Sequence, residues 1–201
     1  MRFVIASGNE HKLIELKRIW GAEGLELDAV SLAAFPGYVE PVEDGSSFAE
    51  NALIKAHAAN DSTGLPAIAD DSGIEVDVLN NMPGIRSARW AGVGATPEES
   101  LDLLIRQLLD VPYERRTARF VCAMALVDGD AEHVVEGVMN GHLLLEKHGE
   151  HGFGYDPVFV TDGQQVTNGE LTDAQKDALS HRGKAARALI PFIRSVSVPG
   201  I

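Results

Sequence analysis

Four short stretches hold the residue types from which a site for a charged, flat ligand can be built. Ser7-Gly8-Asn9-Glu10-His11-Lys12 leaves an apolar run through a glycine and enters a helical pattern. Backbone N–H groups at a helix start point outward, and with Lys12 they offer a seat for phosphate. An ordinary cap, with Asn9 bonding the first turn and Lys12 in solvent, fits the same spacing. Asp70-Asp71-Ser72-Gly73 sets two carboxylates side by side at the end of a predicted strand. Adjacent strand residues face opposite ways, so one acid at most faces a shared site and its partner comes from elsewhere. Glu43, in the loop before the second predicted helix, is the candidate partner. Two carboxylates from separate segments can hold Mg2+ while leaving it several waters, the usual way that ion meets a phosphate ligand. The same acids also suit a turn cap or a loop ion pair.

The third stretch is Gly149-Glu150-His151-Gly152-Phe153-Gly154-Tyr155-Asp156-Pro157. Its glycines permit close backbone approach, Phe153 can stack on a flat ring, and Asp156 can accept from a ring N–H. A tight loop carrying a core aromatic is the plainer alternative. The pair His148-x-x-His151 has no clustered third ligand and no cysteine beside it, which argues against zinc. The fourth stretch, Ser180-His181-Arg182-Gly183-Lys184, follows Lys176 and opens the final predicted helix. Arg and Lys donate and cannot accept, so Lys176, His181 and Arg182 suit anions and carbonyl oxygens, unless they form a solvated basic turn. Gly183-Lys184 is followed by Ala185, so there is no P-loop, and neither G-x-S-x-G nor H-E-x-x-H occurs.

Composition narrows the ligand class. The 201 residues carry 17 Lys+Arg against 30 Asp+Glu, a net charge of −13. Nucleic-acid polymers are held mostly by phosphate neutralisation, so this balance argues against DNA or RNA as a partner. A small phosphate ligand instead needs a local basic cluster, backbone donors or a divalent cation. With 45% hydrophobic and 23% charged residues, the chain can build a core and is read as a single domain over 1–201. Cys122, the one cysteine, lies in an apolar run and reads as a buried, inert thiol in a reducing compartment. Met1 to Ile5 lack the basic and long apolar regions of a secretory signal, and no run approaches ~18 apolar residues. A soluble, cytoplasmic protein away from membranes is expected.

The elements that must position these residues follow from periodicity. Arg2 to Ala6 reads as a buried strand, and Leu13, Leu16 and Trp20 mark one face of the helix after it. Ser47-Phe48-Ala49-Glu50 has the capping-box form and opens an Ala-rich helix through Ala59. Pro66 to Ala69 reads as a short strand. Thr96-Pro97-Glu98-Glu99 caps a third helix with Leu101, Leu104, Ile105 and Leu108 on one face. Strands are predicted over 116–127 and 133–145 around the turn Asp128-Gly129-Asp130, and again over 157–160. Thr172 to Gln175 opens a short helix, and Ala186, Leu189, Ile190 and Ile193 face inward from the last. The order predicts an α/β protein with a mixed β-sheet.

Taken together and in order, the motifs resemble the inosine triphosphate pyrophosphatase (Ham1/RdgB-like) family. The matching stretches are Ser7 to Lys12 with Glu15, Phe48-Ala49-Glu50-Asn51-Ala52 with Lys55-Ala56, Ile68 to Gly73, Pro83-Gly84-Ile85 with Ser87-Ala88-Arg89, Gly152 to Pro157, and Ser180-His181-Arg182. The resemblance implies a long mixed β-sheet flanked by helices, two lobes with a central active-site cleft, and a homodimer. It implies Mg2+-dependent hydrolysis of ITP, dITP or XTP to the monophosphate and pyrophosphate, cleansing the nucleotide pool. By position, Ser7, Gly8, Asn9, Glu10, His11 and Lys12 would bind the triphosphate. Asp71 would be catalytic base and metal ligand, Glu43 the second ligand, and Ser72 a substrate contact. Phe153, Gly154, Tyr155, Asp156, Lys176, His181 and Arg182 would hold the base. A 6-oxo purine presents an acceptor where ATP presents a donor, so donors from His181 and Arg182 would favour the former. Val42, Leu145-Glu146-Lys147-His148 and Gln175 depart from the family pattern. A non-hydrolytic nucleotide-binding or sensing module is the alternative reading.

Overall fold

The apolar opening forms β1 (Arg2–Ile5), parallel to β2 (Asp28–Ser31) on one side and β3 (Ala67–Val76) on the other, with Val4 opposite Val30 and Ile5 opposite Ile68. The structure is a computed structural model that describes residues 2–7 and 10–197, with backbone alone at 10, 11 and 197. One seven-stranded sheet runs in the order β2-β1-β3-β5-β6-β7, where β5 is Thr117–Asp128, β6 is Ala131–Leu143 and β7 is Phe159–Thr161. The short β4 (Met82–Pro83) pairs antiparallel with β3 off that path, and β7 is antiparallel to β6. Parallel and antiparallel pairs therefore coexist, the mixed α/β sheet expected from the sequence.

The chain divides into two compact units. The first comprises Met1–Asp71, Cys122–Gly137 and His181–Ile201. Its core sets Phe3, Ile5, Ile68, Met124 and Leu126 from the strands against α1 (Glu10–Ala22) and α5 (His181–Ser197). Leu16, Ile19 and Trp20 come from α1, and Ala186, Leu189 and Ile193 from α5. Trp20 is fully buried, and its Nε1–H donates to the Ala186 carbonyl at 2.9 Å, so the largest side chain of this core also has its polar atom satisfied. Cys122 is buried, as expected of an inert thiol. α2 (Phe48–Thr63) is capped by Ser47, whose hydroxyl accepts from the Glu50 N–H, and ends on Gly64 in the left-handed conformation.

The second unit comprises Ser72–Val121 and Val138–Ser180. Leu101, Leu104 and Leu108 from α3 (Pro97–Gln107) and its end pack with Ile74, Phe120, Met139, Leu143 and Phe159. The Thr96–Glu99 capping box is complete, with both reciprocal hydrogen bonds made. α4 (Asp173–Leu179) starts on a second complete box, Thr172 with Gln175. No described helix is long and apolar enough to cross a membrane.

Three expectations need correction. β3 runs ten residues, straight through Asp70, Asp71, Ser72 and Gly73 to Val76, where the sequence suggested a short strand ending in those four. Asp is a poor strand residue in isolation, and here tertiary context overrides propensity. The Glu50 carboxylate does not close a box onto Ser47; it accepts from the N–H and hydroxyl of Ser46, at 2.6 and 2.8 Å, which offers two donors in place of one. Asp156–Val158 is a 3₁₀ turn, and the strand predicted from 157 begins at Phe159.

Close approach constrains β6 at Gly137. A Cβ there would lie 2.0 Å from the His181 carbonyl oxygen and 2.6 Å from the Ala185 nitrogen, both backbone atoms of α5. Gly137→Ala is expected to cost about 1–3 kcal/mol of stability by forcing α5 off the sheet. The urea midpoint, compared with that of wild type at unchanged m-value, measures it.

Candidate active site

Consecutive residues of β3 send their carboxylates to different partners, as strand geometry requires. Asp71 Oδ1 lies 3.1 Å from Lys55 Nζ, and its Oδ2 accepts from Asn51 Nδ2 at 3.2 Å. Lys55 also meets Glu43 Oε1 at 3.2 Å, so the two carboxylates share one ammonium. Asn51 and Lys55 stand four residues apart on α2, on the same buried stripe as Phe48, Ala52 and Ala59. Gly45 tightens the approach to α2, since its N–H donates to Asn51 Oδ1 at 2.9 Å. Burial pushes the Asp71 carboxyl above its ordinary range, and the Lys55 charge offsets only part of that. For Lys55 burial works against the charged form, but Asp71, Asp70 and Glu43 outweigh it and hold the ammonium protonated.

Asp70 points into a second, deeper cluster. Lys12 Nζ reaches both of its oxygens, at 3.0 and 3.2 Å, and Arg182 Nε donates to Oδ2 at 3.3 Å. Arg182 Nη1 in turn donates to both oxygens of Glu15, at 3.3 and 3.0 Å. Burial alone would raise the Asp70 carboxyl, but the Lys12 and Arg182 charges hold it well below the usual carboxylate range. Arg182 is 4% exposed, and Asp70 and Glu15 keep it charged against the cost of burial.

In the second unit the glycine-rich loop is built around Asp156, which is 3% exposed. Its Oδ2 accepts from the Phe153 N–H at 2.9 Å and from Lys176 Nζ, and its Oδ1 accepts from Asn168 Nδ2 at 3.3 Å. Gly152, at φ +75°, leaves room for this: a Cβ there would sit 2.3 Å from Asp156 Oδ2. Phe153 stands out from the loop, 66% exposed, with Lys176 Nζ 5.4 Å from its ring centroid. An exposed ring backed by a cation is a stacking platform for a flat ligand.

Asp71 and Glu43 are the residues able to hold a metal ion. Both carboxylates border Lys55 Nζ, and hard carboxylate donors suit a divalent cation that keeps most of its waters. Among the described residues no group of three or more His, Cys, Asp or Glu side chains is placed to hold one.

Comparison with known proteins agrees with this chemistry. The family model described as the Ham1 family matches residues 3–192. The chain belongs to the Ham1 family. It is 55% identical over 202 residues to a protein of Frankia alni and 51% identical over 195 to one of Cutibacterium acnes, both called dITP/XTP pyrophosphatase. The alignments cover 98% of this chain and of the Frankia protein, and 96% of this chain and of the Cutibacterium protein. Among solved structures, a HAM1 protein of Coxiella burnetii superposes with a TM-score of 0.88 at 37% identity, over 97% of this chain and 99% of that one. A nucleoside-triphosphatase, dITP/XTP pyrophosphatase, of Mycobacterium abscessus gives 0.78 at 48% identity, over 96% of this chain and all of the other.

Within this Ham1-family chain the predicted residues fall as follows. Glu43 and Asp71 come together, and Lys12 and Arg182 meet on Asp70. Phe153, Asp156 and Lys176 form one cluster, with Gly154 and Tyr155 in the same loop. Ser72 continues β3 beyond the acid pair, and His181 is buried as the first residue of α5. Ser7 is described, with its N–H donating to the Ile5 carbonyl. Gly8 and Asn9 lie outside the described residues, as do the side chains of Glu10 and His11. Residues given no role from the sequence are Asn51, Lys55, Glu15 and Asn168. The signal for the first two was a polar pair at i, i+4 on an otherwise alanine-rich buried stripe.

Arg182→Met removes the guanidinium that neutralises two carboxylates, and breaking a buried pair of this kind costs about 3–5 kcal/mol. Arg187→Met, which removes an ion pair to Glu23 with both side chains a third or more exposed, is expected to cost less than about 1 kcal/mol. Chemical denaturation of the two variants side by side checks the contrast.

Proposed function

We propose that the chain is a nucleoside triphosphate pyrophosphatase that hydrolyses dITP, XTP and ITP to the monophosphate and pyrophosphate. The observation that carries this reading is the Asp71–Lys55–Glu43 cluster in a chain about half identical to dITP/XTP pyrophosphatases. It operates as one domain over residues 1–201, which the unbroken family match through 3–192 favours. The fall in dITP and XTP keeps altered purines out of the cytoplasmic precursor pool. The resemblance further implies a homodimer, which light scattering tests directly.

In this reading Asp71 accepts the proton of a water that attacks the α-phosphorus. The bond from the α-phosphorus to its bridging oxygen breaks, and pyrophosphate leaves with that oxygen. A carboxylate raised by burial is better matched to proton transfer near neutral pH than an exposed one. Lys55 keeps Asp71 and Glu43 from repelling one another and orients both. Asn51 fixes the remaining Asp71 oxygen. A divalent cation, Mg2+ by the resemblance, would be held by Asp71 and Glu43 and would supply charge neutralisation at the phosphates. Ser7 to Lys12 and Ser72 take the triphosphate. Phe153 supplies a ring face for the base, with Gly154, the backbone of Tyr155, Asp156 and Lys176 around it, and by the resemblance His181 and Arg182 would contact the base as well.

The test incubates the protein with dITP, XTP and dATP, with and without Mg2+, and separates the products. Monophosphate and pyrophosphate are expected from the first two, scarce from dATP, with kcat falling roughly 10²–10⁴-fold in Asp71→Asn. Release of the diphosphate and orthophosphate would overturn attack at the α-phosphorus. Tight dITP binding without turnover would favour a sensing module.

A further inference from the structure

Tyr155 lies in the segment read as the base seat, yet it is 5% exposed and turned inward. Its hydroxyl donates to the Ser87 carbonyl at 2.7 Å. Ser87, in the 3₁₀ turn Gly84–Arg89, is buried as well. Its hydroxyl donates to the Gly84 carbonyl at 2.6 Å and accepts from the Ile74 N–H at 2.8 Å. Ile74 stands two residues beyond Ser72 on β3. A chain of buried hydrogen bonds thus joins β3, the 3₁₀ turn and the glycine-rich loop, entirely within the second unit.

We propose that Tyr155 and Ser87 are positioning residues that set base specificity by holding the Phe153–Asp156 segment in fixed register with the Ser72 segment of β3. The proposal rests on the pyrophosphatase reading. A phenylalanine would fill the same apolar space, so burying the hydroxyl brings a desolvation cost that only its hydrogen bonds offset. What those bonds add is direction. Apolar contacts tolerate small slides, whereas a hydroxyl bonded to a buried backbone carbonyl fixes the distance between the two segments. Phe153 is two residues before Tyr155 and Asp156 one after, so a shift of the anchor moves both the stacking ring and the carboxylate that holds Lys176. Misplacement of a positioned group by about 1 Å can cost 10²-fold in an enzyme.

The experiment measures kcat and KM for dITP and dATP in wild type, Tyr155→Phe and Ser87→Ala, with thermal unfolding of each. Tyr155→Phe is expected to raise KM for dITP about tenfold with kcat nearly unchanged, since lost ground-state positioning appears in KM. The dITP-over-dATP ratio of kcat/KM should fall by about the same factor. Ser87→Ala, which removes the hydroxyl bonded to Ile74 and Gly84 but keeps the carbonyl that Tyr155 reaches, should move both quantities the same way. Wild-type KM and discrimination in both variants would overturn the proposal, whatever happens to the melting temperature, and so would a loss confined to kcat. No turnover of dITP by the wild type would overturn the pyrophosphatase reading and this proposal with it, whereas an unchanged ratio beside an active wild type overturns the proposal alone.

Discussion

Two carboxylates in the middle of a β-strand are tolerable only because each meets buried cations. Asp70 is closed off by Lys12 and Arg182, and Asp71 meets Lys55. The first pairing joins α1, β3 and the start of α5 in one buried network, with Glu15 completing it. The second joins β3 to α2 and to the loop carrying Glu43. Remove either set of cations and the strand carries an uncompensated charge, whose burial costs several kcal/mol. The helices of the first unit are thus held to the sheet by electrostatics as well as by the apolar core.

The two acids differ in consequence because their surroundings differ. Asp70 is surrounded by positive charge and held ionised far into the acid range, which suits a structural role. Asp71 sits where burial outweighs its one ammonium and raises its carboxyl above the ordinary range. Lys12, Lys55 and Arg182 converge on β3, where Asp70 and Asp71, with Glu15 and Glu43 beside them, take up their charge.

The second unit uses one buried carboxylate as the hub of a loop. Asp156 gathers the Phe153 N–H, Lys176 and Asn168, which leaves the Phe153 ring projecting outward above a lysine. The loop is shaped by polar satisfaction around Asp156 and by the burial of the Tyr155 ring in the core of the second unit. Tyr155 anchors it from below, and Gly152 lets the carboxylate approach.

Much of this was legible in the sequence. The 3.6-residue spacing of Leu101, Leu104 and Leu108 and the Thr96 box determined α3, because capping and periodicity are local properties. Two runs rich in Val, Ala, Leu and Phe, broken by the turn Asp128-Gly129-Asp130, marked the two longest strands for the same reason. The acid pair, the glycine-rich loop and the basic start of α5 marked the site by residue type alone. Tertiary structure decided what each charge faces: that β3 continues through Asp70 and Asp71, that Arg182 spends two donors on carboxylates, that Asp156 turns inward and that Lys55 lies between Asp71 and Glu43. Those outcomes depend on pairs 12 to 167 residues apart. The energy of a buried charge is set by the partner that folding brings to it, and chain spacing carries no record of that distance.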